Sequence, residues 1–590
     1  TPEERARWLL AQLLGWHRRE DKAEWWEFFR LMDLTADELI DESHPLGGLE
    51  LVGPSGPPSK GKQIWRYRFP AQDYDLGGRE LYDPALKATM PTEKPSAWKT
   101  AELVVIDEAN RTIDLRRATG SPLPHPAAVV ALDVYQTTGQ RAALERLGEW
   151  VAEHGIDADG PYRAIRDVLL GRPPRTKAVP GESLRRSGES DLEAAIRVAL
   201  ELDRTILPIQ GPPGSGKTYS GARMICRLLA EGKRVGITAN SHKVIGNLLR
   251  AVYEAAGTDV VVNAVQRGDE DQVLDDRRVV RGKNPAHVRA QLDGRLANLA
   301  AGTPWLWVSE AMRTSVDVLF VDEAGQLSLA NVVAMAAAAD SYVLLGDPQQ
   351  LNQPLRGAHP PGAERSALAH VLDGLATIPP DRGLFLETTW RLHPDLCAFT
   401  SEAFYDRRLE PEPHLASQRL RTDAPLLDGV GQRLLQVSTA GDDNESPIEA
   451  DAVASLALEL VDGGATWVDG RGEIRPVTWA EVLIVAPYNA QVGAIRRLLP
   501  AEARVGTVDK FQGQEAPISI YSLTTSSPEL APRGMDFLYS RHRLNVATSR
   551  ARCVALVAAS PDLLRVRART PEQMRLANAF CRFVEYAGGR

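Results

Sequence analysis

Residues 205–220, TILPIQGPPGSGKTYS, contain the segment that decides the fold. An apolar run precedes the motif GPPGSGKT at 211–218, which fits G-x-x-x-x-G-K-[ST], and an apolar helical periodicity follows it. In this context glycines turn backbone N–H groups onto phosphate oxygens, Lys217 reaches the β- and γ-phosphates, and the Thr218 hydroxyl binds Mg²⁺. We therefore predict a nucleoside-triphosphate site. A chance glycine-rich turn is the weaker alternative, because a strand and a helix flank the motif in the required order.

The predicted phosphate loop supplies most of the nucleotide contacts. Backbone groups and side chains on both sides of the lysine are expected to surround the phosphates and the metal ion. The predicted contacts are Gly211, Pro212, Pro213, Gly214, Ser215, Gly216, Lys217, Thr218 and Tyr219.

The length and composition of the chain limit the classes of protein to which it can belong. At 590 residues the chain exceeds the size of a single core, and its 43% hydrophobic and 25% charged residues are ordinary for a soluble globular protein. No apolar run approaches the ~20 residues that span a bilayer.

The four cysteines lie far apart and form no C-x-x-C pair, so we predict neither a zinc site nor an iron–sulfur cluster, and expect a cytoplasmic location. The net charge of −9 argues against bulk coating of nucleic acid but leaves room for a local basic groove.

Periodicity and punctuation divide the chain into five predicted segments. They are a helical stalk at 1–42, a small β-barrel at 43–122, a helical stalk and linker at 123–202, a first α/β domain at 203–382 with a charged, solvated insertion at 265–300, and a second α/β domain at 383–590. The aromatic stripe of the first segment, which includes Trp8, Trp16 and Trp26, is predicted to pack in a core. The first residue is Thr rather than Met, which indicates a piece of a longer chain.

Two strand ends downstream of the phosphate loop carry polar residues. The buried run Val316–Val321 ends in Asp322 and Glu323. A carboxylate there can hold Mg²⁺, so Asp322 is the predicted metal ligand, and Glu323 is placed to deprotonate an attacking water. Two acids kept for solubility are the alternative. The next apolar run leads to Gln350, the predicted sensor of the γ-phosphate.

Small hydroxyl and amide side chains follow another predicted strand at 235–238 and suit contacts to the backbone of a single strand. Turns at 302–305, 487–488 and 507 are predicted to share this role. The predicted nucleic-acid contacts are Thr238, Asn240, Ser241, Gly302, Thr303, Trp305, Pro487, Tyr488 and Thr507.

The order of these motifs resembles that of superfamily 1 helicases. The matching stretches are GPPGSGKT, ITANSHK, DEAGQ, GDPQQL, TWR at 389–391, APYNAQ at 486–491, GTVDKFQGQE at 506–515 and LNVATSRAR at 544–552. They are similar to the 5′-to-3′ branch, which includes the nonsense-mediated-decay helicase and the Okazaki-fragment nuclease-helicase. The opening LLAQLLGWHRRE also resembles bacterial proteins in which a RecB-like nuclease precedes such a helicase.

The resemblance implies two RecA-like P-loop domains and roles for residues of the second domain. By position, Arg391 and Arg550 resemble arginine fingers, Glu515 the residue that binds the nucleotide ribose, and Trp390 the aromatic residue near the base. An isolated surface ion pair is the alternative for either arginine. One departure concerns Glu193, which stands where the family usually has the glutamine that reads adenine.

We therefore predict a monomeric, Mg²⁺- and ATP-dependent motor that moves 5′ to 3′ along single-stranded nucleic acid and parts a duplex. The fusion resemblance favours DNA as the nucleic acid, and RNA stays an alternative. A fused or associated RecB-like nuclease is the expected partner. One alternative is an ATP-gated clamp or regulatory module for that nuclease, without processive unwinding. A small-molecule kinase with the same loop is another, and it would need an acceptor pocket and no stimulation by DNA.

Overall fold

The computed structural model describes residues 1–77, 80–511 and 513–588. The chain forms two compact units, each discontinuous in sequence. The first comprises Thr1–Asp21, Gln136–Trp390 and Phe404–Glu412, and the second comprises Lys22–Tyr135, Arg391–Ala403 and Pro413–Arg590. This grouping differs from the five predicted segments, whose boundaries stay a prediction. No helix in the described ranges is both long and apolar enough to cross a bilayer.

The first 135 residues contain three helices and six strands among the described residues. They are α1 Pro2–Leu14, α2 Trp16–Leu31, β1 Glu50–Pro54, β2 Lys62–Arg68, β3 Glu80–Tyr82, α3 Pro84–Thr89, β4 Lys99–Asp107, β5 Thr112–Ala118 and β6 Val130–Ala131, with short 3₁₀ helices at Glu38–Asp41 and Pro95–Trp98.

From residue 136 onward, strands and helices alternate, as predicted for an α/β chain. The elements up to residue 412 are α4 Thr138–His154, α5 Arg163–Leu169, α6 Asp191–Glu201, β7 Ile206–Gln210, α7 Lys217–Ala230, β8 Val235–Thr238, α8 His242–Ala256, β9 Ala264–Arg267, β10 Val279–Gly282, α9 Pro285–Asp293, β11 Leu299–Ala301, α10 Pro304–Trp307, β12 Val316–Val321, α11 Leu329–Ala334, β13 Ala339–Gly346, α12 Ala367–Leu372, β14 Leu384–Phe385, β15 Thr388–Thr389, α13 Pro394–Phe404 and β16 Glu410–Pro411, with a 3₁₀ helix at Glu310–Met312.

The remaining elements continue the same alternation. They are β17 Arg419–Arg421, β18 Gly431–Gln436, α14 Pro447–Asp462, β19 Thr466–Val468, β20 Ile474–Pro476, β21 Val482–Ala486, α15 Asn489–Leu498, β22 Arg504–Thr507, β23 Ala516–Ser522, α16 Gly534–Leu538, α17 Arg541–Thr548, β24 Ala551–Ala559 and α18 Pro571–Gly588, with 3₁₀ helices at Pro413–Ser417, Pro528–Leu530 and Pro561–Leu564.

The first unit is built on an eight-stranded parallel sheet in the order β10-β9-β11-β8-β12-β13-β7-β14. Its core joins buried strand residues such as Leu207 and Phe320 to apolar faces of α6, α7 and α8. Strands β8, β12, β13 and β7 are neighbours, so their carboxyl ends lie along one edge. In open parallel sheets this edge is where ligands bind.

The predicted insertion at 265–300 is wrong. Strands β9, β10 and β11 all pair in parallel within the main sheet, and β11 lies directly beside β8. Charges at 269–281 suggested a solvated excursion, but they occupy the connections and the exposed edge strand. The short apolar cores of these strands, such as Ala264-Val265, carried the correct signal.

The second unit contains a five-stranded parallel sheet in the order β18-β24-β23-β21-β22, packed against α14 and α15. The parallel α/β class predicted for both halves of the chain is therefore confirmed. A three-stranded antiparallel sheet, β17-β19-β20, belongs to the same unit.

The accessory segment of the second unit is an antiparallel sheet in the order β1-β2-β5-β4-β3-β6. Its hairpin of β4 and β5 was predicted, with Asn110 bonded to Asp107 in the turn. The described residues show no pairing of β1 with β6, so the predicted small barrel is an open sheet here. The sheet also extends past the predicted limit at 122, because Val130–Ala131 pairs with β3.

The aromatic stripe of the N-terminal helices packs only in part. Trp16 is 4% exposed, in agreement with the prediction, but Trp8 and Trp26 are 48% and 66% exposed. The prediction of core packing is wrong for these two. Trp26 instead lies under the Lys22 ammonium, 4.3 Å from the ring centroid, an arrangement that tolerates water.

Candidate nucleotide site and nucleic-acid interface

The phosphate loop joins β7 to α7 at the carboxyl edge of the first sheet. Gly214 and Gly216 have φ values of +74° and +80°, a region that residues with a Cβ adopt only with strain. Gly211 donates its N–H to the Gly346 carbonyl at 2.9 Å, and a Cβ at Gly211 would collide with the Lys217 side chain. The Lys217 ammonium donates to the Gly211 carbonyl at 2.5 Å, so it lies across the loop.

The segment that follows β14 donates two hydrogen bonds to backbone carbonyls of the phosphate loop. Thr389 is fully buried and donates its hydroxyl to the Pro213 carbonyl at 2.9 Å. The Trp390 N–H donates to the Gly214 carbonyl at 2.9 Å, while its ring is 58% exposed. Trp390 is thus anchored beside the loop, in keeping with its predicted place near the base. No role was predicted for Thr389, although it directly precedes the motif tryptophan.

The acidic strand end lies close to the phosphate loop, because only β13 separates β12 from β7 and the Lys217 charge acts on Asp322. Asp322 is 5% exposed, and its carboxylate accepts the Glu323 N–H at 2.9 Å. Burial raises the pKa of Asp322, the nearby Glu323 carboxylate raises it further, and the Lys217 charge opposes both. Glu323 has a φ of +53°, a left-handed conformation that costs about 1–3 kcal/mol for a residue other than glycine. Such strain is typical of functional sites.

The predicted sensor is part of a buried hydrogen-bond cluster. The Gln350 amide donates to the Asp347 carboxylate at 2.8 Å, and the Tyr405 hydroxyl donates to the same oxygen at 2.6 Å. All three side chains are buried. Tyr405 was missed, because 58 residues separate it from Asp347 and no motif surrounds it.

Two glycines allow the acidic loop and the sensor loop to touch. A Cβ at Gly346 would lie 2.6 Å from the Gly325 nitrogen, and a Cβ at Gly325 would lie 2.7 Å from the Asp347 carbonyl oxygen. The clashing atoms belong to the backbone and cannot rotate away. The contact between the two loops therefore depends on the absence of side chains.

We expect Gly346→Ala to lower the free energy of unfolding by about 1–3 kcal/mol, since overpacking forces the backbone to shift. Chemical denaturation of the full chain measures this. Gly246→Ala is the matched control, because a Cβ there meets nothing within 4 Å and lies within α8. The control should be neutral or stabilising by up to about 1 kcal/mol. Equal losses in both variants would contradict the proposed backbone clash.

The buried carboxylate of Asp322 fits a divalent cation, because a positive charge would offset the cost of keeping it beside Glu323. Thr218 occupies the first turn of α7 and is exposed. The described residues contain no group of three or more metal-ligating side chains. Mg²⁺ in nucleotide sites needs no such cage, since phosphates and water complete its shell.

In the second unit, two of the predicted site residues form one ion pair. The Arg391 guanidinium donates to the Glu515 carboxylate at 2.5 Å and to the Ser549 carbonyl at 3.1 Å. Arg552 pairs with the same carboxylate. Burial raises the pKa of Glu515, but Arg391 and Arg552 outweigh it and the net shift is downward. Arg552 was not assigned a role, although it lies two residues from the motif arginine.

Arg550 is 3% exposed and donates to the Gln514 carbonyl at 3.1 Å, while its own carbonyl accepts the Ala516 N–H. Its guanidinium is therefore held by the loop that carries Glu515. Gln512 of the same motif lies outside the described residues.

Family profiles and individual proteins of known function both match parts of this chain. Two family profiles, both described as "AAA domain", match residues 190–360 and 364–562. The Xenopus laevis "DNA replication ATP-dependent helicase/nuclease DNA2" is 24% identical over 411 residues, which is 64% of this chain and 38% of that protein. The Drosophila melanogaster "Regulator of nonsense transcripts 1 homolog" is 24% identical over 516 residues, 77% of this chain and 42% of that protein.

By these matches the chain is similar to superfamily 1 helicases. A third relative, rat (Rattus norvegicus) "DNA-binding protein SMUBP-2", is 26% identical over 467 residues, 67% of this chain and 45% of that protein. The chain spans less than half the length of each of these three relatives. The similarity is to the branch of the nonsense-mediated-decay helicase and the Okazaki-fragment nuclease-helicase, as the motif order implied.

The residues predicted to contact nucleic acid differ in their exposure to solvent. Asn240, Ser241 and Trp305 are exposed, and Thr303 and Thr507 are half-buried. Ser241 caps α8 by accepting the Val244 N–H, and Asn240 donates to the Gln326 carbonyl at 2.7 Å beside the acidic loop. These five side chains remain candidates for contacts to a strand.

The other four predicted contacts are buried, and their contact with nucleic acid stays a prediction. Thr238 and Tyr488 are both 0% exposed, and Pro487 is buried with its neighbour. Burial raises the pKa of Tyr488 to about 12. Gly302 donates its N–H to the Ile237 carbonyl and accepts the Trp307 indole N–H, so its backbone is satisfied internally.

Glu193 serves a different purpose from the adenine-reading residue usual in superfamily 1. Its carboxylate accepts both the Ser190 N–H and the Ser190 hydroxyl, which completes a capping box at the start of α6. Gln210 is fully buried and bonds the Ala376 carbonyl and the Ile378 N–H. It is a strand residue, as predicted, and not a substitute reader.

Proposed function

We propose that the chain is an ATP-dependent translocase and helicase that moves 5′ to 3′ on single-stranded nucleic acid. The observation that carries this proposal is the convergence, within the first unit, of the phosphate loop, the acidic loop and the sensor loop on neighbouring strand ends. Similarity to superfamily 1 helicases supplies the second support. A phosphate cradle alone would fit many enzymes, but this set of strand ends fits hydrolysis of a nucleoside triphosphate.

In the proposed reaction Lys217 stabilises charge on the β- and γ-phosphates, and Glu323 accepts a proton from the water that attacks the γ-phosphorus. Mg²⁺, bound by Thr218 and Asp322 when present, would neutralise charge on the triphosphate. Gln350 detects whether the γ-phosphate is present and transmits this to the sensor loop through Asp347. Tyr219 and the remaining loop residues, 211–216, contact the phosphates, and Trp390 contacts the base.

The second unit supplies Arg391 and Arg550 as arginine fingers in this proposal, and Glu515 as the ribose ligand. A guanidinium that stabilises the transferring phosphoryl group contributes on the order of 10³ to 10⁵ in rate. Because Arg391 pairs with Glu515, binding of ribose to that carboxylate would compete with the ion pair.

The proposed substrate is single-stranded DNA, with RNA as a second possibility, held by Asn240, Ser241, Thr303, Trp305 and Thr507. The Xenopus relative, whose printed name includes both helicase and nuclease, supports association with a RecB-like nuclease. A monomeric state and a reducing, cytoplasmic location complete the proposal. The four cysteines form no disulfide in the structure, which suits a reducing compartment.

The test is hydrolysis of ATP by the full chain with single-stranded DNA, with RNA and with neither, followed by unwinding of a duplex with a 5′ tail or a 3′ tail. We expect stimulation by DNA and unwinding of the 5′-tailed duplex alone. DNA-stimulated turnover without unwinding would instead support the ATP-gated clamp. Turnover that no nucleic acid stimulates would contradict both.

We expect binding of single-stranded DNA to weaken with salt, by roughly 0.7 log units per log unit of salt for each phosphate neutralised. Lys243 is exposed in the first turn of α8, next to Ser241 at the carboxyl end of β8. Lys243→Gln should reduce the slope by about 0.7. The matched control is Lys233→Gln, because Lys233 is exposed at the opposite end of β8 and should not change the slope. Identical slopes for wild type and both variants would contradict the proposed path.

A further inference from the structure

The chain between the sensor loop, residues 346–351, and α12 is fixed at both ends to loops of the nucleotide site. It begins at the sensor loop and returns to the end of the acidic loop, where the Ala367 N–H donates to the Leu327 carbonyl at 3.0 Å. We call residues 352–364 the linking segment. A displacement of the linking segment therefore acts on the sensor loop and on the end of the acidic loop, both of which the proposed hydrolysis uses.

The middle of the linking segment is bonded to one carboxylate at the start of α2, that of Glu20. The Arg356 N–H donates to Glu20 Oε2 at 3.1 Å, and the Gly357 N–H donates to Oε1 at 3.0 Å. The His359 ring donates from Nε2 to the same Oε1 at 2.5 Å. Burial raises the pKa of Glu20, but these three bonds outweigh it and the net shift is downward. The ionised carboxylate thus accepts three hydrogen bonds from a part of the first unit that is distant in sequence.

The His359 ring is held by two further residues of α2. Arg19 donates from Nε to His359 Nδ1 at 3.1 Å, so Nδ1 is the acceptor and Nε2 carries the hydrogen that Glu20 accepts. The ring also stacks on Trp16, with 5.2 Å between the ring centroids and 14° between the ring planes. The His359 side chain is 0% exposed. Both the position of the ring and its tautomer are therefore set by α2.

Close packing and prolines make the linking segment stiff. A Cβ at Gly357 would lie 2.8 Å from the Arg19 carbonyl oxygen, so backbone packs against backbone at this point. Pro354, Pro360 and Pro361 each fix their own φ and restrict the residue before them. A segment with few free torsions transmits a displacement to its ends instead of absorbing it.

We propose that Glu20 is a positioning residue for nucleotide hydrolysis, because it fixes the linking segment and thereby places Gln350 and the end of the acidic loop. Glu20 acts through these loops and not on the nucleotide. This role rests on the proposed nucleotide hydrolysis and assigns a function to a residue of the N-terminal helices. The alternative is a carboxylate that fastens a surface loop and contributes to stability alone.

Glu20→Gln tests the role with little change in size. An amide has one oxygen and one nitrogen, so its N–H groups face at least one of the three donors. We expect kcat for ATP, with Mg²⁺ and saturating single-stranded DNA, to fall by about 10-fold to 100-fold, as small misplacements in active sites do. The dissociation constant of N-methylanthraniloyl-ATP should change by less than about twofold, because the phosphate loop is unaltered. A smaller fall in kcat, or an equal loss of ATP affinity, overturns the inference.

The matched control is Glu145→Gln. Glu145 is an exposed glutamate of α4 in the same unit, and it takes no part in the contacts that hold the linking segment. The control should keep both kcat and ATP affinity.

Gly357→Ala disturbs the same contact from the other side. The added Cβ would press on the Arg19 carbonyl, and the backbone of Gly357 lies outside the left-handed region, so alanine adds no strain of its own. If both changes release the same segment, Glu20→Gln combined with Gly357→Ala should lower kcat no further than the stronger single variant. Independent structural damage would multiply the two losses instead, and that result overturns the inference.

Hydrogen exchange measures the positioning without hydrolysis. In Glu20→Gln, amides within 347–357 of the full chain should exchange at least about threefold faster than in the wild type, because local opening becomes easier. Amides of α4 should exchange at the same rate in both proteins. Unchanged exchange within 347–357 overturns the inference.

Failure of this role can be told apart from failure of the proposed function. Hydrolysis of ATP by the wild type together with normal kcat in Glu20→Gln would overturn the role of Glu20 and leave the proposed function intact. Absence of hydrolysis in the wild type would contradict the proposed function, and the exchange rates would then decide whether Glu20 positions the sensor loop.

Discussion

Glu323→Gln should reduce ATP turnover by about 10² to 10⁴ while ATP binding is retained, because the amide cannot accept a proton from the attacking water. The substitution keeps the size of the side chain and its left-handed backbone, where Glu323 has a φ of +53°. Single-turnover hydrolysis and equilibrium binding of a fluorescent ATP analogue measure the two quantities separately. We expect the change in kcat and not in the dissociation constant.

The control for Glu323→Gln is Glu310→Gln, the same change at an exposed glutamate of the first unit that pairs with surface arginines. It should leave turnover unchanged, since exposed ion pairs contribute at most about 1 kcal/mol to stability. Normal turnover in Glu323→Gln would show that another group accepts the proton, and the assignment of Glu323 as general base would be wrong. Loss of ATP binding would instead indicate a structural effect on the acidic loop.

Arg550→Ala should reduce turnover by about 10³ to 10⁵ and preserve ATP binding, if Arg550 stabilises the transferring phosphoryl group. The side chain is almost fully buried and bonds the Gln514 carbonyl, so the variant also loses packing. Thermal unfolding of the variant therefore has to be measured beside its kinetics. A fall in turnover with little change in ATP affinity, at a temperature well below the unfolding midpoint, is the expected result.

Arg433→Ala is the control that separates the loss of turnover expected in Arg550→Ala from its loss of stability. Arg433 also belongs to the second unit and donates to backbone carbonyls, those of Leu426 at 2.8 Å and Asp428 at 2.9 Å. We expect Arg433→Ala to lose stability yet keep turnover. If both variants lose turnover in proportion to their loss of stability, Arg550 is a structural residue and the finger assignment fails.

The elements around the phosphate loop could be predicted from local sequence alone. β7, β8, β12 and β13 each appear as an apolar run followed by small or acidic residues, and the structure places their ends along one edge. The helix after the loop and the capped helix before β7 also follow from periodicity and from the Ser190 capping pattern. These features depend on neighbours in sequence, so local patterns contain the information.

Local patterns give no guidance where distant residues decide the outcome. Thr238 and Tyr488 have polar groups and stand in motif positions, and their burial by other elements of the fold cannot be derived from their sequence neighbours. β9 and β10 were taken for an insertion because charges surround their short apolar cores, and only their pairing with β11 and with each other reveals them as strands. The pair of Arg391 and Glu515 joins residues 124 apart, a separation that no local pattern specifies.

The connectivity of the first unit limits where the chain can be cut for study. A fragment that stops at residue 382 would lack β14, which pairs with β7 at Ile209 and Gln210 just before the phosphate loop. It would also lack the Thr389 hydroxyl and the Trp390 amide that bond the loop carbonyls. Extending it to 390 restores those bonds but omits Tyr405, a partner of Asp347. A recombinant form of the first unit therefore has to run to residue 412 and include the intervening stretch 391–403, and shorter truncations should purify with a loosened phosphate loop.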